Sequence, residues 1–196
     1  MKKRKAQILP VRLYGDKTLR LKAKEVTEFD ENLRNFVADL TATMYAKDGV
    51  GLAAPQVGIS LRIFVVDPDW FKEGGKKNPH IFINPKFKEF VGSATNEEGC
   101  LSLPGIFEKV TRAEKIIVEA FNEHGKKFSV EADGLFGRAI QHEYDHLDGI
   151  LFIDKIAKLR KIFIKKFLKE IESTTDENGV NIGKMSEDEE ISRVDK

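Results

Sequence analysis

The spacing of apolar residues divides the chain into segments of different periodicity. Between residues 30 and 46, apolar side chains recur every three or four positions, at Leu33, Phe36, Val37, Leu40 and Met44. This spacing predicts an amphipathic helix that packs into a core, with Asp30 as its N-cap. Runs rich in β-branched and aromatic residues predict strands at 62–67, 81–90, 115–121 and 127–132. Residues 68–79 predict an exposed loop between the first two strands.

Two more helical patterns follow the strands. Residues 135–147 predict a helix that ends before Gly149. Residues 154–172 predict a C-terminal helix whose core-facing side consists of Ile156, Leu159, Phe163, Phe167 and Ile171. Basic residues cover the remainder of this helix: Lys155, Lys158, Arg160, Lys161, Lys165, Lys166 and Lys169. An ordinary solvated face and an anion-binding surface both explain that pattern.

The order of these elements predicts the fold class and the domain. Strands that precede and surround a helix, without regular β-α-β alternation, predict an α+β domain. We expect one catalytic domain over residues 1–172, which includes the basic C-terminal helix 154–172. After residue 173 the apolar pattern fades and an acidic run follows at 187–190. Residues 173–196 are therefore predicted to form an acidic, mobile tail.

Composition narrows the class of protein. The net charge of +1 favours neither a membrane surface nor specific DNA binding, and no apolar run reaches membrane-spanning length. The basic start of the chain lacks the apolar core of a signal peptide. A single cysteine excludes an intramolecular disulfide and suits a reducing compartment. Together these features predict a cytoplasmic protein.

The pattern H-E-x-x-H lies inside the second predicted helix, at residues 142–146. Residues four apart share a helix face, so His142 and His146 can present nitrogens to one metal ion. Glu143 lies close enough to handle the protons of a metal-bound water. This arrangement is typical of a hydrolase. The alternative is an ordinary helix that carries two surface histidines.

A catalytic metal site of this kind needs a third protein ligand. Some metalloproteases use a histidine six residues after the second one, but Phe152 occupies that position. Glu170 and Glu172 lie later in the chain, among lysines on a face expected to be wet. Cys100 is the best remaining candidate, because a thiolate binds borderline and soft divalent ions well. The alternative is a buried, inert cysteine.

A segment rich in small residues, 49–58, precedes the first predicted strand. Gly49 and Gly51 would let a peptide backbone approach closely. Gln56 would supply a neutral donor to the oxyanion that develops during amide hydrolysis. A flexible turn without catalytic function is the alternative.

Three stretches, 49–56, 98–102 and 141–147, resemble in order the signature motifs of peptide deformylases, and the resemblance covers about residues 6–172. It implies removal of the formyl group from the N-formylmethionine of newly synthesised polypeptides, with release of formate. It also implies antiparallel β-sheets surrounding the H-E-x-x-H helix, with a C-terminal helix.

The resemblance also implies roles for particular residues. Cys100, His142 and His146 would hold the metal, with water in the fourth position. Glu143 would act as the general base, and Gln56 and the N–H of Leu101 would donate to the oxyanion. The metal in the cell is expected to be Fe²⁺, although this ligand set also accepts Zn²⁺, Ni²⁺ or Co²⁺.

Substrate-binding residues follow from the same motifs. We expect Leu135 and Ala139 to line an apolar pocket for the methionine side chain. Arg138 lies on the same wall and is interpreted either as part of the pocket rim or as an exposed arginine. The peptide backbone is expected to pair as an added strand with Val50, Gly51 and Gly99.

Glu98 and Arg112 are predicted to pair and to fix the loop that carries Cys100. A solvated surface glutamate is the alternative for Glu98. In some deformylases a C-terminal helix docks on the ribosome, so helix 154–172 is a possible ribosome-docking surface. Two other classes stay open: a peptide-bond metalloprotease, and a metal-dependent binding or structural protein without turnover.

Overall fold

The computed structural model describes residues 4–183, which form three α-helices and seven β-strands. In chain order these are α1 (Glu31–Ala46), β1 (Gly51–Ala53), β2 (Ile63–Val66), β3 (His80–Val91), β4 (Ala94–Cys100), β5 (Leu103–Arg112), β6 (Lys115–Phe121), β7 (Lys127–Asp133), α2 (Gly134–Leu147) and α3 (Lys158–Glu172). Short 3-10 helices lie at Lys17–Arg20, Ala54–Val57 and Phe152–Asp154. The α+β class predicted from the sequence is confirmed.

The strands form two antiparallel sheets. One has five strands in the order β1-β2-β3-β6-β7, and the other consists of β4 and β5. The register of the small sheet shifts between Gly99 and Cys100, which re-aims the end of β4. Strand β1 is an edge of the large sheet, and β4 pairs only with β5 within residues 4–183. Two strand edges are therefore left free to pair with an added strand.

Helix α2 packs against the large sheet and forms the centre of the domain. Its apolar side, represented by Ile140 and Leu147, is fully buried in a cluster with Phe64 and Phe82 of the sheet. The two phenylalanine rings stack with their centroids 4.8 Å apart. Complete burial of a large side chain stabilises the fold by about 1.5–3 kcal/mol, so this cluster holds the helix firmly against the sheet.

Helix α1 begins where the sequence predicts. The side chain of Asp30 accepts a hydrogen bond from Leu33 N at 2.9 Å, which satisfies a backbone donor of the first turn. Leu40 and Met44 are fully buried in a second cluster that includes Val65 of β2. The apolar stripe of α1 thus packs into the core as expected.

The strands of the small sheet were not predicted. Residues 94–100 are mostly polar and exposed, and Glu98 is buried among them. A strand whose one inward side chain is charged shows no alternation of apolar and polar positions, so the pattern gave no signal. The predicted turn at 49–58 also contains strand β1 and a 3-10 helix.

The predicted core-facing side of the C-terminal helix was wrong at three of its five positions, whereas Ile156 and Ile171 pack in or against the cluster around Phe152. Leu159, Phe163 and Phe167 are more than half exposed, whereas Ile164 is buried. Helix α3 also begins at Lys158 rather than at residue 154. The orientation is set by Arg160, whose guanidinium hydrogen-bonds the buried Glu108 carboxylate at 2.8 Å and so turns this side of the helix inward.

Ordered contacts continue past the predicted domain boundary at residue 173. Asn181 is fully buried, and its backbone N–H donates to the Asp16 side chain at 3.0 Å. The acidic run at 187–190 lies outside the described residues. Within residues 4–183, no helix has the length and hydropathy needed to cross a membrane.

Candidate metal centre and substrate cleft

Helix α2 places His142 and His146 one turn apart on the same face, with their ring centroids 5.1 Å apart. Both side chains are buried, with 8% and 1% of their surface exposed. The interpretation as two surface histidines was therefore wrong. Neutral imidazoles that converge in a water-poor site are suited to metal ligation.

Cys100 completes a group of three donors. It lies at the bulged end of β4, and its Sγ is 3.3 Å from His146 Nε2. The ligand atoms of Cys100, His142 and His146 all lie within 4.8 Å of one another. One thiolate and two imidazoles form a donor set that suits a divalent ion of borderline softness. The three residues therefore fit a single transition-metal ion.

Glu98 orients the first histidine. Its Oε2 lies 3.0 Å from His142 Nδ1, which leaves Nε2 of that ring to face the donor cluster. The predicted pairing with Arg112 is present, at 2.6 and 2.9 Å. Burial alone would raise the pKa of Glu98, but the hydrogen bonds from His142 and Arg112 hold it well below its usual range. Glu98 is thus a buried, ionised carboxylate, and the solvated alternative was wrong.

Arg138 is also bound to Glu98. Its Nη1 donates to Glu98 Oε1 at 2.6 Å, and the same guanidinium donates to the carbonyls of Val110 and Ala94 at 3.0 and 2.8 Å. The side chain is buried, so the interpretation as an exposed arginine was wrong. Arg138 lines the cleft and, in addition, helps to hold the carboxylate that orients His142.

The charge network extends to a residue that the sequence interpretation did not include. Asp145 accepts a hydrogen bond from Arg112 Nη1 at 2.8 Å and lies 2.9 Å from Lys155 Nζ. Asp145 stands three residues after His142 in the H-E-x-x-H helix, where i,i+3 spacing places it on a neighbouring face. That spacing places Asp145 near His142 but does not pair it with Arg112, which lies 33 residues away in the chain.

Gln56 is fixed by hydrogen bonds on both ends of its amide. Its Oε1 accepts from Ala53 N at 2.8 Å, which requires Nε2 to point the other way. Nε2 donates to Ser102 Oγ at 3.2 Å and lies 3.4 Å from Cys100 Sγ. The side chain therefore presents a donor beside the metal ligands, and the alternative of a flexible turn was wrong, because Gln56 is 1% exposed.

Glu143 is buried beside these candidate ligands and forms no ion pair within residues 4–183. Its Oε2 has no hydrogen-bond partner among the described residues. Burial raises the pKa of Glu143 to about 7, which suits a group that accepts and returns a proton near neutral pH. Gly51 packs directly against it, since a Cβ at that position would lie 2.6 Å from Glu143 Oε1.

The two histidines differ in protonation in the metal-free protein. Burial disfavours the charged form of His142, but hydrogen bonds with Cys100 and Glu98 outweigh it and raise the pKa to about 10. Burial, together with the positive charge of His142, keeps the pKa of His146 well below its ordinary value. His142 therefore carries a proton that a bound cation must displace.

A cavity of about 500 Å³ opens onto these groups. All of the residues predicted to bind substrate line it, namely Val50, Gly51, Gly99, Leu135, Arg138 and Ala139. The remaining walls include Gln56, Cys100, Leu101, His142 and Glu143. Phe107, which was not predicted, also lines the cleft and is 61% exposed. Two of the three candidate metal donors, the two predicted oxyanion donors and the buried carboxylate thus share one opening.

Comparison with known proteins gives this arrangement a family. The family model of polypeptide deformylase matches residues 8–162. The chain belongs to the polypeptide deformylase family. A peptide deformylase from Neisseria gonorrhoeae is 45% identical over 168 residues, which cover 86% of this chain and 98% of that protein. A peptide deformylase from Clostridium botulinum is 50% identical over 148 residues, covering 76% and 96%.

Solved deformylase structures share the fold. The crystal structure of a peptide deformylase from Legionella pneumophila matches with a TM-score of 0.78 and 40% identity, covering 85% of this chain and 96% of that one. The deformylase from Thermotoga maritima matches with a TM-score of 0.71 and 44% identity, covering 77% and 99%. The deformylase fold implied by the three sequence motifs is therefore confirmed.

Proposed function

We propose that this protein removes the formyl group from the N-formylmethionine of newly synthesised polypeptides and releases formate. The observation that carries the proposal is the meeting of three metal donors, a buried glutamate and an amide donor in one cleft. Family membership supports the same reaction. We also propose that it works in the bacterial cytoplasm, a compartment in which such polypeptides are made.

Cys100, His142 and His146 would hold one divalent ion, which supplies Lewis-acid activation of a water molecule. We assign Fe²⁺ as the ion in the cell, with Zn²⁺, Ni²⁺ or Co²⁺ as substitutes that the same donors accept. Glu98, held by Arg112 and Arg138, keeps the His142 ring in its ligating orientation.

Glu143 acts as the general base. Its unpartnered oxygen accepts a proton from the attacking water, whose oxygen bonds to the formyl carbon. The same carboxyl group then returns the proton to the departing nitrogen as the carbon–nitrogen bond breaks. The products are formate and a free methionine amine. A pKa of about 7 lets Glu143 act in both directions.

The developing oxyanion needs donors that are already aimed. Gln56 Nε2 supplies one, and the backbone N–H of Leu101 supplies the other, because both residues line the cleft beside Cys100. Removal of one such donor typically lowers kcat by about 10²–10³-fold. A neutral amide also avoids adding a charge next to the buried Glu143.

The two free strand edges provide the peptide site. The carbonyl of Val50 accepts from Asp67 N at 2.8 Å inside the large sheet. Because backbone polar groups alternate in direction along a strand, the N–H and C=O of the next residue, Gly51, face the cleft. We therefore assign strand pairing to Gly51 on one side and to Gly99 on the other. Val50 contributes to the cleft wall, and Leu135 and Ala139 form the apolar pocket for the methionine side chain.

Formate release with a matched set of peptides tests this function. We expect formyl-Met-Ala-Ser to be hydrolysed, and acetyl-Met-Ala-Ser to be resistant because the added methyl group crowds the reacting carbon. Cleavage of internal peptide bonds, with the formyl peptide left intact, would instead favour a peptide-bond metalloprotease. A metal-loaded protein that hydrolyses none of these peptides would support a binding or structural role.

We also propose that helix α3 docks on the ribosome. Lys165 and Lys166 are exposed and lie beside the exposed apolar residues Phe163 and Phe167. Lysines that neutralise rRNA phosphates would give an attachment that weakens with added salt. Co-sedimentation with ribosomes should decrease in the variant K165E/K166E and persist in K76E, which alters an exposed loop. Equal sedimentation of both variants, or insensitivity to salt, would contradict docking through this helix.

A further inference from the structure

Residues 174–183, which we call the C-terminal strap, fold back onto the N-terminal segment of the chain. The N–H of Leu13 donates to the Asn181 carbonyl at 2.7 Å, and the N–H of Lys17 donates to the Gly179 carbonyl at 3.1 Å. The strap lies beyond the residues matched by the family model, which end at 162. The strap therefore joins a segment beyond the family match to residues 13–17, which lie inside it.

Asn181 is the centre of this contact. Its side chain is fully buried, and its Nδ2 donates to the carbonyls of Tyr14 and Ile171, both at 2.7 Å. Its Oδ1 lies 2.7 Å from the Thr174 hydroxyl and accepts from Gly183 N at 3.0 Å. The whole side-chain amide is hydrogen-bonded. Truncation would take the donor away from the Tyr14 carbonyl, whereas the Ile171 carbonyl would keep the N–H and the hydroxyl of Thr174. An acceptor left unsatisfied costs more than the mean value of a hydrogen bond.

The N-terminal segment that Asn181 contacts is hydrogen-bonded to residues at the catalytic cleft. The N–H of Arg12 donates to the Gln56 carbonyl at 2.6 Å, and the N–H of Tyr14 donates to the Ser102 carbonyl at 2.8 Å. The side chains of Gln56 and Ser102 are themselves joined at 3.2 Å. Residues 12–14 thus hydrogen-bond the backbones of Gln56 and Ser102. The contact between the side chains of these two residues sets the direction of the Gln56 amide.

We propose that Asn181 is a positioning residue for deformylation. It fixes residues 12–14, which set the spacing between Gln56 and Ser102 and so aim the Gln56 donor at the formyl oxyanion. The inference rests on the proposed function. It adds a segment beyond the family match to the structure that supports the oxyanion donor. A misaimed donor weakens transition-state stabilisation more than ground-state binding, so the effect falls on kcat.

A double-mutant cycle tests this role in the full chain. We expect Asn181→Ala to lower kcat for formyl-Met-Ala-Ser about tenfold, with KM and bound metal unchanged. An effect of this size lies within the range of coupling energies between residues of one hydrogen-bond network. In the Gln56→Ala background the same substitution should change kcat less than about twofold, because the donor it aims is already absent. Asn178→Ala is the matched control, since this asparagine is exposed on the same strap and its side chain makes no hydrogen bond within residues 4–183.

The outcomes separate positioning from simple stabilisation. An equal fold-loss of kcat in both backgrounds, or a lowered melting temperature with unchanged kcat, overturns the proposal. If Asn181→Ala does not fold, Thr174→Val takes its place in the cycle, because it removes only the hydroxyl that lies against Asn181 Oδ1. Its kcat must then fall in the wild-type background and not in Gln56→Ala. Failure of the wild-type protein to release formate would instead refute the proposed function itself.

Discussion

Glu98 Oε2 lies 3.0 Å from Nδ1 of His142, and this contact is the only one that the structure shows between an acidic side chain and either histidine of the donor cluster within residues 4–183. Such contacts fix the orientation of a ligating imidazole, and their loss typically weakens metal affinity about 10–100-fold. We therefore expect Glu98→Gln, which keeps the shape and removes the charge, to raise the metal dissociation constant by that factor. Competition with a chromogenic chelator measures it.

The neighbouring residue provides the control for this substitution. Glu97 is exposed and makes no side-chain hydrogen bond among the described residues, so Glu97→Gln should leave the metal affinity unchanged. Alanine is a poorer choice at position 98. It would leave Arg138 as a buried charge without its carboxylate and Arg112 with Asp145 alone, a loss of about 3–5 kcal/mol in the free energy of unfolding. Equal metal affinities for the two glutamine variants would contradict the role of Glu98.

Metal affinity should increase with pH. In the metal-free protein the pKa of His142 is raised to about 10, so this imidazole carries a proton at pH 6 to 9, and ligation must displace it. The proton released from His142 should by itself tighten binding about tenfold for each unit of pH. Calorimetric titration of metal in buffers of different ionisation enthalpy counts that proton, and a count of zero at pH 7 would be inconsistent with this assignment.

The same pKa shift predicts the pH dependence of stability in the metal-free protein. Because the folded-state value lies above the unfolded value of about 6.5, folding is favoured by protonated His142. This contribution is fully present below pH 6.5 and is lost as the pH rises through about 10.

Two isoleucines on helix α3 test its orientation with the same chemical change. Ile164 is 7% exposed and packs in the cluster around Phe152, whereas Ile162 is 67% exposed. We expect Ile164→Ala to lower the free energy of unfolding by about 2 kcal/mol and Ile162→Ala to change it by less than about 0.5 kcal/mol. Urea denaturation of both variants measures the difference. The reverse order would contradict the burial of Ile164.

Helix α3 also shows which part of the fold could not be predicted from the sequence. Apolar residues occur on several sides of α3, so their spacing fits more than one buried face, and the contact of Arg160 with Glu108 decides between them. Helices α1 and α2 were predictable because each has one apolar stripe and a clear start or end signal. The contact between Arg160 and Glu108 depends on the folded chain and cannot be predicted from the spacing of residues in α3.

In the candidate site, too, some residues could be predicted from the sequence and others could not. His142 and Glu143 could be assigned from local spacing, and Cys100 from the need for a third ligand. The contact of Arg138 with Glu98 could not be predicted. The two residues are 40 positions apart, and each position taken alone is compatible with exposure to solvent. Hydrogen bonds between distant segments depend on the folded backbone, which local patterns do not encode.

Gly51 keeps the buried glutamate in place. An added Cβ would lie 2.6 Å from Glu143 Oε1 and 2.8 Å from its Cγ, so the carboxylate would have to move away from the cleft. We expect Gly51→Ala to lower kcat by about 10²-fold, the size of effect that follows small displacements of reacting groups. Bound metal, measured by elemental analysis, should be unchanged. Wild-type turnover in this variant would show that Glu143 does not need its present position.

The central claim is that Glu143 transfers the proton in a metal-dependent deformylation. The direct measurement is formate release from formyl-Met-Ala-Ser by the iron-loaded protein under anaerobic conditions, for the wild type and for Glu143→Ala. We expect the wild type to release formate and the variant to retain its metal with kcat reduced about 10²–10⁴-fold. No release by the wild type, or equal release by both proteins, would contradict the account.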